Sequence, residues 1–189
     1  MSYIYEFDIA AIVILVAIII SFLIKKTVET RLIKTFSFLV WDSLFCCLFD
    51  ILAILTSDNF DLFPIWVHYS INICFFITFL FIPLIFLNCV LYLTNNDSRI
   101  TLKNKLLKAI PFSLGVILIL STPFSKLIFY FDGNTYKHGS LFFCLFLIAI
   151  LYVIDFFIQT IKNRKTISHI QLFSIMIYSL VPVIAQIIQ

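Results

Sequence analysis

Apolar residues fall in six long blocks that are separated by short polar connections. The run AIVILVAIII at residues 11–20 has no alternating polar positions. A helix needs about 20 consecutive apolar residues to cross a hydrocarbon core of about 30 Å. We therefore predict transmembrane helices at residues 7–24, 36–56, 65–93, 106–122, 139–161 and 168–189.

Transmembrane β-strands are the rival interpretation, because phenylalanine, isoleucine and tyrosine are abundant. Barrel strands alternate polar and apolar side chains over about 10 positions, and these blocks do not alternate. A helix also pairs its own backbone amides inside hydrocarbon, where water is absent. The predicted fold class is all-α, a polytopic transmembrane helical bundle of about six helices that forms a single membrane-embedded domain over residues 1–189.

Composition strengthens this prediction. Hydrophobic residues make up 62% of the 189 and charged residues only 12%, with a mean hydropathy of +1.12. A soluble globular domain carries about twice that share of charge. The opening sequence MSYIYEFDIA has acidic but no basic residues, the opposite of a secretory signal peptide, so the first block is expected to stay.

Basic residues give the orientation of the bundle. Eleven of the thirteen lie in the connections after blocks one, three and five, and only Lys126 and Lys137 lie after block four. Connections rich in lysine and arginine stay in the cytoplasm. We predict a multi-pass protein of the cell membrane with its N-terminus and the 57–64 and 123–138 connections outside.

The connection after block four is the longest outer one and has its own pattern. Residues 126–131 are rich in aromatic and β-branched types, Asp132-Gly133-Asn134 is a turn sequence, and Thr135-Tyr136-Lys137 could pair back. This predicts a small extracellular hairpin between helices four and five. The alternative is an interfacial belt formed by its aromatic residues at headgroup level.

Three carboxylates lie inside apolar blocks: Asp42, Asp50 and Asp155. Ionisable groups at such depth are costly and usually face the bundle interior. Because every lysine and arginine falls in a connection, we expect no basic partner and instead hydrogen bonds to Asn72, Asn88, Gln159 or Gln186. Asp42 and Asp155 have comparable depth and could meet. Interhelical hydrogen bonding, signal coupling and a proton or cation path remain open as their roles.

Patterns for catalysis and metal binding are missing from the sequence. There is no glycine-rich phosphate loop, nucleophile elbow or pair of histidines four residues apart. The five cysteines lie in apolar blocks, where thiols behave as small hydrophobes. We predict neither enzymatic activity, nor a cofactor, nor a metal site for this stretch.

Four local patterns together resemble a known family. They are EFDIAAIVIL, KKTVETRLIKTF, LFCCLFDI and PFSKLIFYFDGNTYKHG, and the likeness runs over essentially the whole chain. They are similar to the N-terminal seven-transmembrane sensory regions of Firmicute histidine kinases and of diguanylate cyclases with a GGDEF domain. The resemblance implies a receptor that passes a stimulus to a cytoplasmic output domain, cyclic-di-GMP synthesis or a kinase.

That output domain is not present in these residues, and such regions typically have a seventh span. Six spans leave the last residue outside, so we expect that the chain is an incomplete seven-helix region. For a receptor, the residues expected to contact ligand or couple the signal are Tyr130, Asp132, Tyr136 and His138 outside, and Asp42, Asp50 and Asp155 inside.

Two other functions fit the same residues. A small transporter or channel subunit would use the three buried carboxylates and the break at Pro83, although neither internal repeats nor paired broken helices are found. A membrane interaction or assembly protein would only anchor a partner. Expected partners are the lipid bilayer, a small-molecule or peptide stimulus and a second copy in a homodimer; nothing indicates nucleic acid.

Overall fold

In a computed structural model, the chain is a bundle of long helices with one small hairpin. The structure describes residues 6–24, 30–93 and 102–163. Within these ranges the helices and strands are α1 (Glu6–Ile24), α2 (Arg31–Asp58), a 3₁₀ turn (Phe60–Leu62), α3 (Ile65–Leu93), α4 (Leu102–Ser125), β1 (Phe129–Asp132), β2 (Thr135–His138) and α5 (Phe142–Lys162).

The first five predicted spans are confirmed as helices. All five are long and apolar enough to cross a membrane. The largest difference is at α2, which begins at Arg31 rather than at residue 36. Thr30 explains this start, because its extended backbone and its Oγ1, which accepts from the Ile33 amide at 3.3 Å, cap the helix. The predicted sixth span, 168–189, lies outside the described residues.

Helix α3 is the centre of the described bundle. It packs against α2 on one side and against α4 and α5 on the other, whereas α1 packs on the outer side of α2. Nine residues of α3 are buried but only Ile19 of α1 is. Near the middle of α4, a Cβ at Gly115 would lie 2.6 Å from Leu80 Cδ1. The absence of a side chain there lets α3 and α4 approach closely.

The hairpin is antiparallel, with Phe129 opposite His138 and Asp132 opposite Thr135. Its two-residue loop begins at Gly133, whose φ of +59° belongs to the left-handed region. A glycine at the first loop position is the requirement of a type II′ turn. The predicted hairpin is confirmed, although its first strand begins at Phe129 and not at residue 126.

Connections 59–64 and 126–141 meet at one end of the bundle, here called the hairpin end. Asn134 Nδ2, in the hairpin loop, donates to Asp61 Oδ1 in the 3₁₀ turn at 2.9 Å. The opposite end contains the beginning of α4 and the end of α5. Many large apolar side chains on the outer faces of the helices are exposed, as a surface covered by lipid requires.

Candidate functional site

The hairpin is attached to the helices by a group of stacked aromatic rings, here called the aromatic cap. Phe129, at its centre, is completely buried. Its ring centroid lies 5.5 Å from that of Phe76 on α3 and 5.7 Å from that of Tyr136 on the other strand. The members of the cap are Phe60, His68, Tyr69, Phe76, Phe129, Phe131, Tyr136, His138 and Phe142.

Strand register divides the predicted ligand residues between two faces. Directly opposed residues of an antiparallel pair share a face, so Tyr136 and His138 lie with Phe129 and Phe131 on the face that packs onto the helices. Tyr130 and Asp132 lie on the other face. The hairpin therefore brings the four predicted residues into one element, with two in the cap and two turned away from it.

Two rings of the hairpin belong to the protein core at this end. Phe129 is inaccessible, and Phe131 packs on Phe60, His68 and Tyr69. The interfacial belt, which can exist together with the hairpin, stays a prediction, since packing against helices does not fix the depth of the rings relative to lipid headgroups.

Charges on the outer face of the hairpin form one pair. Lys137 Nζ donates to Asp132 Oδ2 across the strands, and both side chains are well exposed. The Lys137 ammonium lowers the pKa of Asp132, and the Asp132 carboxylate raises the pKa of Lys137. Lys126 Nζ lies 6.0 Å from the Tyr130 ring centroid on the same face. The face thus presents both signs of charge beside a tyrosine ring.

The two histidines of the cap differ in how deeply they are buried. His138 stacks on Phe142 with 3.9 Å between ring centroids, and its partial burial lowers its pKa. His68 is fully inaccessible, stacked 4.1 Å from the Phe60 ring. Its Nε2 lies 3.4 Å from the Phe60 carbonyl oxygen, and since a carbonyl cannot donate, Nε2 carries the hydrogen. Nδ1 has no partner in the described chain.

His68 was missed as a site residue, because it lies inside the apolar block 65–93 and ligand residues were expected in the outer connection. Its sole signal is its position one helical turn after Pro64, at the start of α3 and next to the 3₁₀ turn. Within the described ranges, no group of three or more His, Cys, Asp or Glu side chains could hold a metal ion.

A second polar group, here called the α4–α5 cluster, lies at the opposite end. Lys108 Nζ on α4 donates to Asp155 Oδ2 on α5 at 2.7 Å, and Gln159 Nε2 donates to Asp155 Oδ1 at 3.1 Å. The expected bond to Gln159 is present. The expectation that no basic residue reaches the carboxylates is wrong, because Lys108 lies inside α4 and not in the connection before it.

The carboxylates of α2 have other surroundings. Asp42 is 8% exposed, and its Oδ2 has no hydrogen-bond partner among the residues described. Asp50 lies near Asp8 of α1. The expected approach of Asp42 to Asp155 is not found, because Asp155 turns to α4.

Asn72 and Asn88 do not reach these carboxylates. Each donates to a backbone oxygen one turn earlier in α3, to His68 O and Leu84 O respectively. Gln186, also expected as a partner, lies outside the described residues. The five cysteines are free thiols.

Fold and polar groups together define a polytopic membrane bundle whose described part has one polar group at each end and two neighbouring carboxyl groups, Asp8 of α1 and Asp50 of α2. The sequence model of a family described as the N-terminal 7TM region of histidine kinase matches residues 9–189. The chain belongs to this family, and it is a membrane sensory region. No curated protein and no solved structure matches it.

This result confirms the resemblance to histidine kinase sensory regions. What matches is a membrane region, and no catalytic domain is shown for residues 9–189. The resemblance to diguanylate cyclases with a GGDEF domain has no counterpart in the comparison.

Proposed function

We propose that this region receives a stimulus outside the cell at the hairpin end and passes it to a histidine kinase on the cytoplasmic side. The observation that carries this proposal is the attachment of the hairpin. Through the aromatic cap and the Asn134–Asp61 bond, the hairpin contacts the 3₁₀ turn, the start of α3 and the start of α5. A displacement of the hairpin would therefore move two long helices.

Charge distribution supports the orientation. Two of the thirteen basic residues, Lys126 and Lys137, lie at the hairpin end, and the remaining eleven lie in or beside the connections that follow α1, α3 and α5. In a variant without the native cysteines, we expect Asp58→Cys to react with a membrane-impermeant maleimide in intact cells. Lys162→Cys, at the end of α5, should react only after permeabilisation. The reverse pattern would show that the hairpin faces the cytoplasm.

The outer face of the hairpin is the proposed receiving surface. Tyr130, Asp132 and Lys137 offer an aromatic ring and both signs of charge there, while Tyr136 and His138 connect the same strands to the cap. This chemistry suits a small polar molecule or a peptide with charged groups. Inside the membrane, Asp42, Asp50 and Asp155 are the proposed coupling residues, because each lies at or near a contact between two helices.

The central experiment removes one hydrogen bond between the hairpin and the 3₁₀ turn. In the full-length protein, reconstituted in proteoliposomes, Asp61→Ala removes the bond to Asn134, and we expect basal autophosphorylation to change at least threefold. Asp58→Ala is the matched control, since it removes an exposed carboxylate three residues away that makes no described bond. Equal activity of both variants would refute the role of the hairpin.

The output itself is tested by the unmodified protein in the same assay. ATP-dependent phosphorylation of a histidine supports a kinase output. Formation of cyclic-di-GMP from GTP, with no phosphohistidine, would refute it.

A further inference from the structure

One turn of α4 is bound to α5 through its backbone as well as through a side chain. Tyr152 Oη on α5 donates to the Lys108 carbonyl oxygen at 2.6 Å and accepts from the Phe112 amide at 3.0 Å. In a regular helix, the amide of residue 112 and the carbonyl of residue 108 bond to each other. The tyrosine hydroxyl is therefore inserted at a backbone hydrogen bond of α4.

Pro111 makes this turn receptive to an inserted group. Proline has no N–H to donate, and its ring crowds the preceding turn, so the helix bends and nearby backbone bonds open. An inserted side chain is a recognised cause of such a bend. Inside hydrocarbon an opened backbone group needs a partner, and the hydroxyl satisfies one donor and one acceptor at once.

The other proline near the end of α4 has different surroundings. Around Pro123 the described side-chain bonds stay within α4, where Ser121 and Thr122 both donate to the Leu118 carbonyl. A proline in this helix thus does not by itself recruit a group from α5. The contact at residues 108–112 is a specific feature.

Tyr152 cannot leave this turn without a movement of α5. The side chain is 4% exposed and packs in a cluster with Leu87, Val90 and Leu91 of α3 and Phe156 of α5. On α5, Asp155 lies three residues further along and is bound to the Lys108 ammonium. A rotation or shift of α5 would therefore act on the backbone and the side chain of Lys108 together.

We propose that residues 108–112 form a hinge in α4, held bent by the Tyr152 hydroxyl, and that withdrawal of the hydroxyl is the conformational switch of the sensory region. When the hydroxyl leaves, the Phe112 amide and the Lys108 carbonyl bond to each other again. The Phe112 amide and the Lys108 carbonyl therefore have a partner in either state, which favours two states of similar free energy. The switching role rests on the proposed function; the hinge does not.

The hinge is tested by distances between spin labels in the full-length protein. The part of α4 before the hinge measures about 9 Å at 1.5 Å per residue, so a change of bend by about 20–30° displaces its end by about 3–5 Å. Position 104 lies about 6 Å before the hinge, so we expect Tyr152→Phe to shift the distance between labels at positions 104 and 162 by about 2–3 Å. The pair 124 and 143, at the hairpin end, should shift by less than about 1 Å, since it lies beyond the hinge.

Two further variants keep the test independent of folding defects. Pro111→Ala restores the missing N–H and should shift the 104–162 distance in the same direction as Tyr152→Phe. Tyr92→Phe removes a hydroxyl that has no described bond, on α3 at the same end, and should leave the distance unchanged. If Tyr152→Phe and Pro111→Ala both leave the distance unchanged, the hinge is refuted.

Autophosphorylation separates the hinge from the switch. We expect Tyr152→Phe and Pro111→Ala to change basal activity in the same direction, at least threefold, with the double variant equal to either single one. A shifted distance with unchanged activity would refute the switching role. Absence of kinase activity in the unmodified protein would refute the proposed function, while the distances would still decide whether the hinge exists.

Discussion

At the hairpin end, the ring of Phe129 packs against those of Tyr69 and Tyr136, with centroids 5.6 Å and 5.7 Å apart. At the opposite end, Lys108, Tyr152 and Asp155 are joined by hydrogen bonds of 2.6–2.7 Å. Both groups involve α5, but the cap joins it to α3 and the α4–α5 cluster joins it to α4. The two groups differ in how many contacts share the stabilising energy. They also differ in how that energy responds to a small displacement.

Aromatic contacts are numerous, and each contributes only about 0.5–1.5 kcal/mol beyond burial. A small sliding of one ring changes several contacts slightly, so the hairpin and the helix starts should move as one body. The α4–α5 cluster depends on a few directional bonds, each of which is either made or broken. The comparison suggests that the hairpin end transmits a displacement and that the opposite end converts it into two discrete states.

The largest expected effect comes from removing the centre of the cap. Phe129→Ala leaves a cavity beneath the hairpin, and we expect the free energy of unfolding to fall by about 3–5 kcal/mol. Phe124→Ala is the control, since Phe124 is 93% exposed, and it should change the value little. Unfolding in mixed detergent micelles measures both. Similar losses for the two variants would show that the cap is not a packed core.

Breaking the ion pair at the other end should have the next largest effect. Lys108→Met leaves the Asp155 carboxylate without its cation, at an expected cost of about 2–3 kcal/mol, below the 3–5 of a fully buried pair because both side chains are partly exposed. Asp155→Asn added to Lys108→Met should recover at least half of the loss. A double variant as unstable as the sum of the single ones would exclude a direct interaction.

The Lys108–Asp155 pair also shows where sequence reasoning reached its limit. Hydropathy located five helices within a few residues of their observed bounds, and the sequence FYFDGNTYKH predicted the hairpin, because both depend on local patterns. The partner of Asp155 depends on where α4 begins and on the rotation of two helices about their axes. An almost uniformly apolar surface does not encode that rotation, so Lys108 was assigned to a connection by its basic neighbours.

Residues of the cap show the same difference between features set by local sequence and features set by long-range packing. Tyr136 and His138 were correctly expected in one element, since they lie five or fewer residues from Gly133. His68 was missed because its burial arises from the packing of α3, the 3₁₀ turn and the hairpin, which are separated by up to 70 residues in sequence. Long-range packing of this kind leaves no periodic signal in a single sequence.

A smaller effect should follow from a methyl group at the junction of hairpin and α5. A Cβ at Gly139 would lie 2.2 Å from the Leu127 carbonyl oxygen, which is backbone and cannot rotate away. We expect Gly139→Ala to destabilise the protein by about 1–3 kcal/mol, as overpacking does. At Gly133 an added Cβ meets nothing within 4 Å, so Gly133→Ala tests backbone strain alone. A larger loss of stability in Gly133→Ala than in Gly139→Ala would contradict the close approach between Gly139 and the Leu127 carbonyl oxygen.

The smallest expected effect is a dependence on pH at the hairpin end. Because burial lowers the pKa of His138 below its ordinary value of 6.5, the folded hairpin favours the neutral imidazole. Stability should therefore be highest above pH 6.5 and decrease as the pH falls through the native pKa of this histidine. The Asp132 carboxylate, whose pKa Lys137 lowers from 3.8, stays ionised in this range and does not contribute.

This dependence can be assigned to His138 by comparison with His138→Gln, which keeps a polar side chain without a titrating proton. We expect the unmodified protein to lose more thermal stability between pH 7.5 and pH 5 than the variant does. The difference should be small, since His138 is only partly buried and solvent screens its charge. Equal losses would show that the pH dependence does not arise at His138.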